Sequence, residues 1–296
     1  MSPLVIPMPG NEALAMSLAR RIHGDVGELE TRAFPDDETY LRFQKDPRGR
    51  SVILVCTMDH PNPKFLPLIF AADNAKELGA IKVSLIAPYL CYMRQDKRFR
   101  EGEALTSNSF ARQLSSAFYE LVTVDPHLHR HRSLSELYSI RTAVVHSAPL
   151  IAEWITKNER RAVIIGPDSE SEQWVSEVAA LARAPYRVLR KERLGDTDVK
   201  ITIPDLHDVK ERTPILIDDI VSSGRTMIET ARQLRGEGLS PAVCIAVHAL
   251  FSHATENALR EVSSRLVTTN SIPHATNQID LSATIAERYL ELGRKL

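Results

Sequence analysis

The stretch PILIDDIVSSGRT, Pro214 to Thr226, is followed by a segment of helical periodicity. An apolar run, two acids and a small, hydroxyl-rich turn that opens a helix predict a strand, a loop and a helix N-terminus. The N–H groups of such a loop can hold a phosphate, while Asp218 and Asp219 can accept hydrogen bonds from vicinal hydroxyls or reach a metal through water. A purely structural turn cap is the less favoured interpretation, so the stretch predicts a sugar-phosphate site.

The same alternation of short apolar runs and helical segments extends along the whole chain. It predicts an α/β protein with mainly parallel sheets flanked by helices. The predicted strands are 51–56, 82–87, 121–124, 162–166, 186–189, 214–217, 243–247 and 266–268. The predicted helices are 12–22, 66–78, 107–118, 148–155, 172–182, 226–235, 255–262 and 282–292. These elements form two similar series, so we expect two domains of one type, residues 1–143 and 144–296.

Composition narrows the class of protein. The 296 residues include 37 Lys and Arg against 38 Asp and Glu, a net charge of −1, with 43% hydrophobic residues. This is a globular composition without a general positive field, so neither nucleic acid nor a membrane is an expected partner. The odd, widely spaced cysteines Cys56, Cys91 and Cys244 and the lack of a signal-peptide pattern favour a cytoplasmic protein. Walker-type and dinucleotide-binding glycine motifs are absent from the sequence.

Further polar motifs stand where the other predicted strands end, which is where parallel sheets place their ligands. They are Arg94-Gln95-Asp96, Asp125-Pro126-His127, Pro167-Asp168 and Lys191-Glu192-Arg193, with Phe34-Pro35-Asp36-Asp37-Glu38 nearer the start. Taken singly, several of these have ordinary structural interpretations; the Arg187 to Arg193 stretch, for example, also suits a solvated basic strand end. Their order and spacing together are more specific than any one of them.

In that order the motifs resemble the ribose-phosphate diphosphokinases, also called phosphoribosyl pyrophosphate synthetases, over nearly the whole chain. The resemblance implies two similar domains of the type I phosphoribosyltransferase fold. It also implies a reaction in which the 1-hydroxyl of ribose 5-phosphate attacks the β-phosphorus of Mg-ATP, giving phosphoribosyl pyrophosphate and AMP. Such chemistry depends on positioning and charge neutralisation rather than on a covalent nucleophile.

The resemblance also implies roles for individual residues. ATP would be bound by Phe34, Asp36, Glu38, Arg94, Gln95 and Asp96. Ribose 5-phosphate would be bound by Asp218, Asp219, Ser222, Ser223, Gly224, Arg225 and Thr226. Lys191 and Arg193 would stabilise transition-state charge, and His127 and Asp168 would contact Mg²⁺. Arg225 either adds charge to the phosphate site or faces solvent.

The resemblance implies self-association as well, because in the family the Phe34–Glu38 segment reaches in from a neighbouring subunit. We therefore expect a homo-oligomer of at least two chains. The histidines of Asp125 to His131 also invite a zinc interpretation, but Pro126 favours a loop there, and His129 and His131 are expected to be surface residues.

Two departures from the family pattern stand out. Pro167-Asp168-Ser169-Glu170-Ser171 replaces the glycine-rich diphosphate turn, which makes close backbone approach harder. Ser222 stands where many members have an acid. The alternatives are a catalytically silent regulatory homologue, which would be expected to lose His127 or the Lys191 and Arg193 pair, and a phosphoribosyltransferase, which would need only the Asp218 to Thr226 loop.

Overall fold

The computed structural model describes residues 1–98, 100–128, 130–193, 199–202 and 205–294, without the side chains of residues 170, 190–193 and 199–202. The chain divides into two compact units. Unit 1 comprises Met1–Val145 and Ser282–Leu296, and unit 2 comprises His146–Leu281. Each contains a six-stranded sheet whose paired strands are all parallel. The predicted α/β class is therefore confirmed.

Unit 1 contains eight strands and four α-helices among the described residues. Its strands are β1 Leu4–Pro7, β2 Asp25–Val26, β3 Leu29–Ala33, β4 Thr39–Phe43, β5 Ser51–Val55, β6 Lys82–Ala87, β7 Glu120–Val124 and β8 Arg141–Val145. Its helices are α1 Glu12–Arg21, α2 Pro61–Glu77, α3 Thr106–Ala117 and α8 Ser282–Arg294. The sheet order is β2-β1-β5-β6-β7-β8, while β3 and β4 form a separate antiparallel hairpin.

Unit 2 repeats this plan. Its strands are β9 Ala162–Gly166, β10 Tyr186–Val188, β11 Arg190–Arg193, β12 Val199–Thr202, β13 Thr213–Val221, β14 Ala242–Ala249, β15 Ser263–Thr269 and β16 Asn277–Ile279. Its helices are α4 Ala148–Asn158, α5 Glu172–Ala182, α6 Arg225–Gly236 and α7 His253–Val262. The sheet order is β10-β9-β13-β14-β15-β16, and β11 and β12 form an antiparallel hairpin outside it.

The order of the strands reverses at the same place in both sheets. The first strand of each sheet lies between the second and the third, as β9 lies between β10 and β13. In such sheets the chain leaves the first and third strands toward opposite faces, which opens a crevice beyond their carboxyl ends. The topology therefore points to the ends of β9 and β13 in unit 2, and of β1 and β5 in unit 1, as places for a ligand.

Burial of apolar strand residues holds these elements in place. In unit 2, Val163 and Ile165 of β9, Leu216 of β13 and Cys244 of β14 are fully buried in one cluster. Because both faces of a parallel sheet are covered by helices, such strands read as continuous apolar runs, and most were visible in the sequence for that reason. Within the described residues, no helix is both long and apolar enough to span a membrane.

Several strands differ from the sequence-based prediction. β13 was expected to end at Ile217, before the two acids, but it continues to Val221 because it keeps pairing with β14 through Val221 and Ala249. The strands β1 and β8 and the hairpin β3–β4 were not predicted. The hairpin's strands have no buried residue, so they lack an apolar pattern.

The C-terminal helix was predicted, but it belongs to a different unit from the one expected. The expected domains, 1–143 and 144–296, assigned residues 282–296 to the second domain, whereas the structure groups them with unit 1. The reason is packing: α8 contacts α1, β7 and β8. At its first turn, Ser17 Oγ donates to Ser282 Oγ (2.9 Å) and Arg21 Nε donates to the same oxygen (3.2 Å).

A buried charge cluster joins the middle strands of unit 1. Glu120 on β7 is fully buried, and its Oε1 accepts hydrogen bonds from Lys82 Nζ and Ser84 Oγ on β6, each at 2.7 Å. Arg141 Nη1 on β8 lies 3.9 Å from the other carboxylate oxygen. A buried carboxylate is tolerable only when it is paired, so this cluster fixes the pairing of β6 with β7.

Replacement of Lys82 by alanine should destabilise the protein by about 3 kcal/mol, because it leaves the Glu120 carboxylate buried beside a distant arginine. The measurement is thermal and urea unfolding, with the exposed Lys76→Ala variant as control. Adding Glu120→Gln to Lys82→Ala should recover part of the loss. A double variant less stable than Lys82→Ala would show that the charge is not the cause.

Candidate active site

The site in unit 2 lies at the end of β13, a strand that pairs further along one neighbour than along the other. On one side β13 pairs with β14 as far as Val221, but on the other its pairing with β9 ends at Leu216 and Ile165. The last residues of β13, Asp218 among them, therefore have a strand neighbour on one side only. Their other side faces the crevice predicted at the end of β9.

Three carboxylates come together there. Desolvation first, and then the negative charges of Asp219 and Asp168, raise the pKa of Asp218 well above the usual aspartate value. The Asp219 N–H donates to Asp218 Oδ1 (3.0 Å), and the Ile220 N–H donates to Asp219 Oδ1 (2.7 Å). Burial of a carboxylate beside like charges is costly to the fold, and it is typical of sites that receive a cation or hydrogen-bond donors. The name acid trio is used below for Asp168, Asp218 and Asp219.

The turn after β13 has the features expected of a phosphate loop. Gly224 has a φ of +67° and precedes α6, whose Ile228 N–H donates to Gly224 O at 2.9 Å. A Cβ on Gly224 would lie 2.6 Å from Thr255 Cγ2, so α7 packs directly against this turn. Ser223 is exposed, and the loop leads straight into the positive end of the α6 dipole.

Arg225 is the first residue of α6 and is exposed. A cation is unfavourable at the positive end of a helix dipole, so helix stability does not explain an arginine here. Ser222 and Thr226 at the two ends of the turn are half-buried. An anion bound at the turn would reconcile the arginine with the dipole.

In the turn after β9, Asp168 accepts two hydrogen bonds from Ser171. The Ser171 N–H donates to Asp168 Oδ1 (3.2 Å), and Ser171 Oγ donates to Asp168 O (2.6 Å). A Cβ on Gly166 would lie 2.6 Å from Ser171 Oγ, so this glycine permits the tight turn. Residues 169–171 form a 3₁₀ turn. The expected departure from a glycine-rich diphosphate turn therefore takes the form of a compact, self-capped turn that begins at Asp168.

Lys191 and Arg193 lie on the β11–β12 hairpin. Their backbone pairs with Ile201 and Val199. Their side chains lie outside the described part of the chain, so the structure supplies the strand on which they stand but not their contacts.

In unit 1 the Phe34–Glu38 segment is the tip of the β3–β4 hairpin. The Phe34 N–H donates to Glu38 O (2.7 Å), and the Glu38 N–H donates to Asp36 Oδ1 (3.4 Å). Phe34 is 40% exposed. The Arg32 guanidinium stacks at 4.6 Å on Phe34 and 4.3 Å on Tyr40. The hairpin therefore presents an aromatic and charged tip to solvent.

The Arg94–Asp96 segment follows β6, and two of its three side chains are engaged within unit 1. Thr106 Oγ1 donates to Gln95 Oε1 (2.9 Å). Arg130 Nε lies 3.4 Å from Asp96 Oδ1, and the Asp96 side chain is only 9% exposed. Arg94 is exposed. Sequence reasoning missed Arg130, because no motif marks it and only the fold brings it to Asp96.

His127 follows β7 and is half-buried. Of the neighbouring histidines, His131 was expected at the surface but is half-buried, with its Nδ1 3.2 Å from Glu136 Oε2, and His129 lies outside the described residues. Among the described residues, no three His, Cys, Asp or Glu side chains form a ready-made metal cage. Mg²⁺ does not need one, because it usually takes one or two carboxylates and completes its shell with water and substrate phosphates. The acid trio fits that requirement.

Comparison with known proteins identifies the fold. The crystal structure of phosphoribosylpyrophosphate synthetase from Mycobacterium smegmatis has the same fold, with a TM-score of 0.86, 21% identity and full coverage of both chains. The model of the phosphoribosyl transferase domain matches residues 133–282. The chain is thus a protein of the phosphoribosyltransferase fold, as expected from the sequence.

Sequence comparison is more specific. The model of the N-terminal domain of ribose phosphate pyrophosphokinase matches residues 4–117. Ribose-phosphate pyrophosphokinase of Methanopyrus kandleri is 31% identical over 278 residues, covering 93% of this chain and 94% of its own. That of Saccharolobus solfataricus is 31% identical over 290 residues, covering 96% and 99%. The chain belongs to the ribose-phosphate pyrophosphokinase family, which confirms the resemblance seen in its motifs.

Replacement of Gly224 by alanine should lower stability by about 2 kcal/mol, because the new Cβ meets Thr255 and the backbone φ is positive. Gly236, at the other end of α6, has open space around it, so Gly236→Ala is the matched control and should be neutral or slightly stabilising. Thermal unfolding of both variants measures the difference. Equal melting temperatures would contradict the close packing of the loop on α7.

Replacement of Asp218 by asparagine should stabilise the free protein at neutral pH. Because the pKa of Asp218 is raised, the folded protein binds its proton more tightly than the unfolded chain does. Stability therefore falls as pH rises from the ordinary aspartate pKa through the raised one. We expect Asp218→Asn to remove that loss, with a gain of about 1 kcal/mol, or roughly 2–4 °C in Tm.

The measurement is Tm as a function of pH for the wild type, Asp218→Asn and the exposed control Asp46→Asn. The control should keep the wild-type profile. A wild-type profile in Asp218→Asn as well would show that the pKa of Asp218 is not raised in the folded state.

Proposed function

We propose that this protein transfers the diphosphoryl group of Mg-ATP to the 1-hydroxyl of ribose 5-phosphate. The products are phosphoribosyl pyrophosphate and AMP: an O1–Pβ bond forms, the bond between Pβ and the bridging oxygen to Pα breaks, and the hydroxyl proton is released. The observation that carries the proposal is the acid trio beside a phosphate-type loop at the β9/β13 crevice, in a chain of this family.

Ribose 5-phosphate binding is assigned to the end of β13 and the turn after it. The 5-phosphate would accept hydrogen bonds from the Ser222 to Thr226 turn, and the positive charge of Arg225 would stabilise it. Vicinal ribose hydroxyls would donate to Asp218 and Asp219. Such donors would offset the burial and the like charges that raise the pKa of Asp218, so sugar binding and carboxylate ionisation would support each other.

ATP binding is assigned to unit 1, with Phe34, Asp36 and Glu38 on the hairpin tip and Arg94 exposed after β6. The Phe34 face suits stacking on a purine, and the carboxylates can accept from an exocyclic amine. An exposed tip of this kind fits use by a neighbouring copy. We therefore include in the proposal a homo-oligomer of at least two chains.

Magnesium is part of the proposal. The residues assigned to magnesium binding are His127, which follows β7, and Asp168, which follows β9. When bound, the ion would neutralise phosphate charge as diphosphoryl transfer proceeds. The Asp168 carboxylate would offer this ion a hard oxygen ligand, which it prefers.

A cytoplasmic location is proposed as well. Cys56, Cys91 and Cys244 are free and buried, and burial raises the pKa of Cys56 and of Cys244 to about 12. Such thiols stay protonated and unreactive, which suits a reducing compartment.

The test is to incubate the purified protein with ribose 5-phosphate, Mg²⁺ and ATP and to separate the nucleotides. AMP formed in step with a sugar diphosphate, and only when the sugar is present, would support the proposal. Formation of ADP would contradict it. No product from a folded oligomer would favour a silent regulatory homologue, and phosphoribosyl transfer to a nucleobase would favour a phosphoribosyltransferase.

Lys191→Ala should lower kcat by at least about 100-fold while leaving KM for both substrates within about threefold, because Lys191 is assigned to transition-state charge. Steady-state assays of AMP formation measure this split. Lys210→Ala, which removes an exposed lysine of the same unit, is the control and should keep wild-type kinetics. A Lys191→Ala variant with full turnover would remove this residue from the mechanism.

A further inference from the structure

The ion pair between Asp96 and Arg130 joins two loops of unit 1 that lie far apart in the sequence. Arg130 Nε lies 3.4 Å from Asp96 Oδ1, and the Asp96 side chain is 9% exposed whereas that of Arg130 is 48% exposed. The pair is therefore unequal: the carboxylate is almost buried and depends on its partner, while the guanidinium stays half in water. Loss of the arginine would leave a poorly solvated negative charge.

The neighbouring contacts show what the pair holds. Thr106 Oγ1 donates to Gln95 Oε1 (2.9 Å), and Ser107 Oγ donates to Gln95 O (3.1 Å). The Arg94–Asp96 segment is thus fastened to α3 by Gln95 and to the loop after β7 by Asp96. Two of its three side chains serve attachment, and the exposed one, Arg94, is left for a ligand.

We propose that Arg130 is a positioning residue for the nucleotide-binding segment, acting through Asp96. It fixes the segment so that Arg94 and the local backbone can meet the ATP phosphates, and it cancels a carboxylate charge that would otherwise repel them. Asp96 then has an internal role rather than a direct contact with ATP. This inference rests on the proposed assignment of Arg94–Asp96 to ATP binding.

The sign of a double substitution tests it. Arg130→Ala should weaken binding of α,β-methylene ATP, measured by calorimetry with Mg²⁺, by about tenfold, because it exposes the nucleotide to an unpaired carboxylate. Asp96→Asn should have a smaller effect, since Arg130 can return to water. The double variant Asp96→Asn with Arg130→Ala should bind better than Arg130→Ala alone, to within about threefold of Asp96→Asn.

Two further variants separate positioning from general damage. Arg130→Lys keeps the charge and should restore most of the affinity. Arg132→Ala removes an exposed arginine from the same loop and should bind as the wild type does. The effect should fall on KM for ATP and leave KM for ribose 5-phosphate within about twofold. If Arg130→Ala fails to fold, the lysine variant and the double variant, which has no unpaired charge, still test the claim.

The outcomes are distinct. Wild-type affinity in Arg130→Ala, or a double variant weaker than Arg130→Ala, would overturn the inference, and the second result would indicate that Asp96 contacts the nucleotide itself. Failure of the wild type to bind α,β-methylene ATP at all would overturn the ATP assignment and this inference with it. Binding by the wild type with an unaffected Arg130→Ala variant would overturn the positioning role alone.

Discussion

Pairing of β13 with β14 beyond the point where its pairing with β9 stops is the constraint on which the site in unit 2 depends. Asp218 and Asp219 stand on the part of β13 that extends past its pairing with β9, and Asp168 follows the end of β9. The buried β9–β13–β14 core imposes this arrangement, because the register of the strands fixes where the acids end. The fold thus buries the Asp218 carboxylate near those of Asp219 and Asp168, and this burial costs stability.

The two units share one strand order but place their assigned residues at different positions. In unit 1 the equivalent crevice, between β1 and β5, is occupied by a side chain: Asn11 is 3% exposed, its Nδ2 donates to Met8 O (3.2 Å), and the Thr57 N–H donates to its Oδ1 (2.9 Å). An internal amide there replaces the acids of unit 2. Unit 1 places its assigned residues instead on the hairpin tip and on loops after β6 and β7. A shared topology therefore does not imply a shared site.

Much of this could be read from the sequence, and the rest has physical reasons for being hidden. Buried parallel strands such as β6 and β9 are plain apolar runs, but the β3–β4 hairpin is exposed and has no apolar pattern. The acids at 218 and 219 suggested the end of a strand, yet backbone pairing with β14 carries β13 through them. Motifs located Asp168 and Asp218 separately, whereas their interaction depends on strand register. Arg130 belongs to no motif, and only tertiary packing brings it to Asp96.

The position of α8 has a consequence for synthesis. Its sequence follows all of unit 2, yet it packs on β7 and β8 of unit 1. A ribosome that makes the chain from its N-terminus releases every residue of unit 2 before unit 1 has its last helix. Unit 2 can therefore mature while β7 and β8 of unit 1 still lack the helix that packs on them, and a nascent chain arrested before Ser282 would expose the apolar residues of that part of the sheet to chaperones.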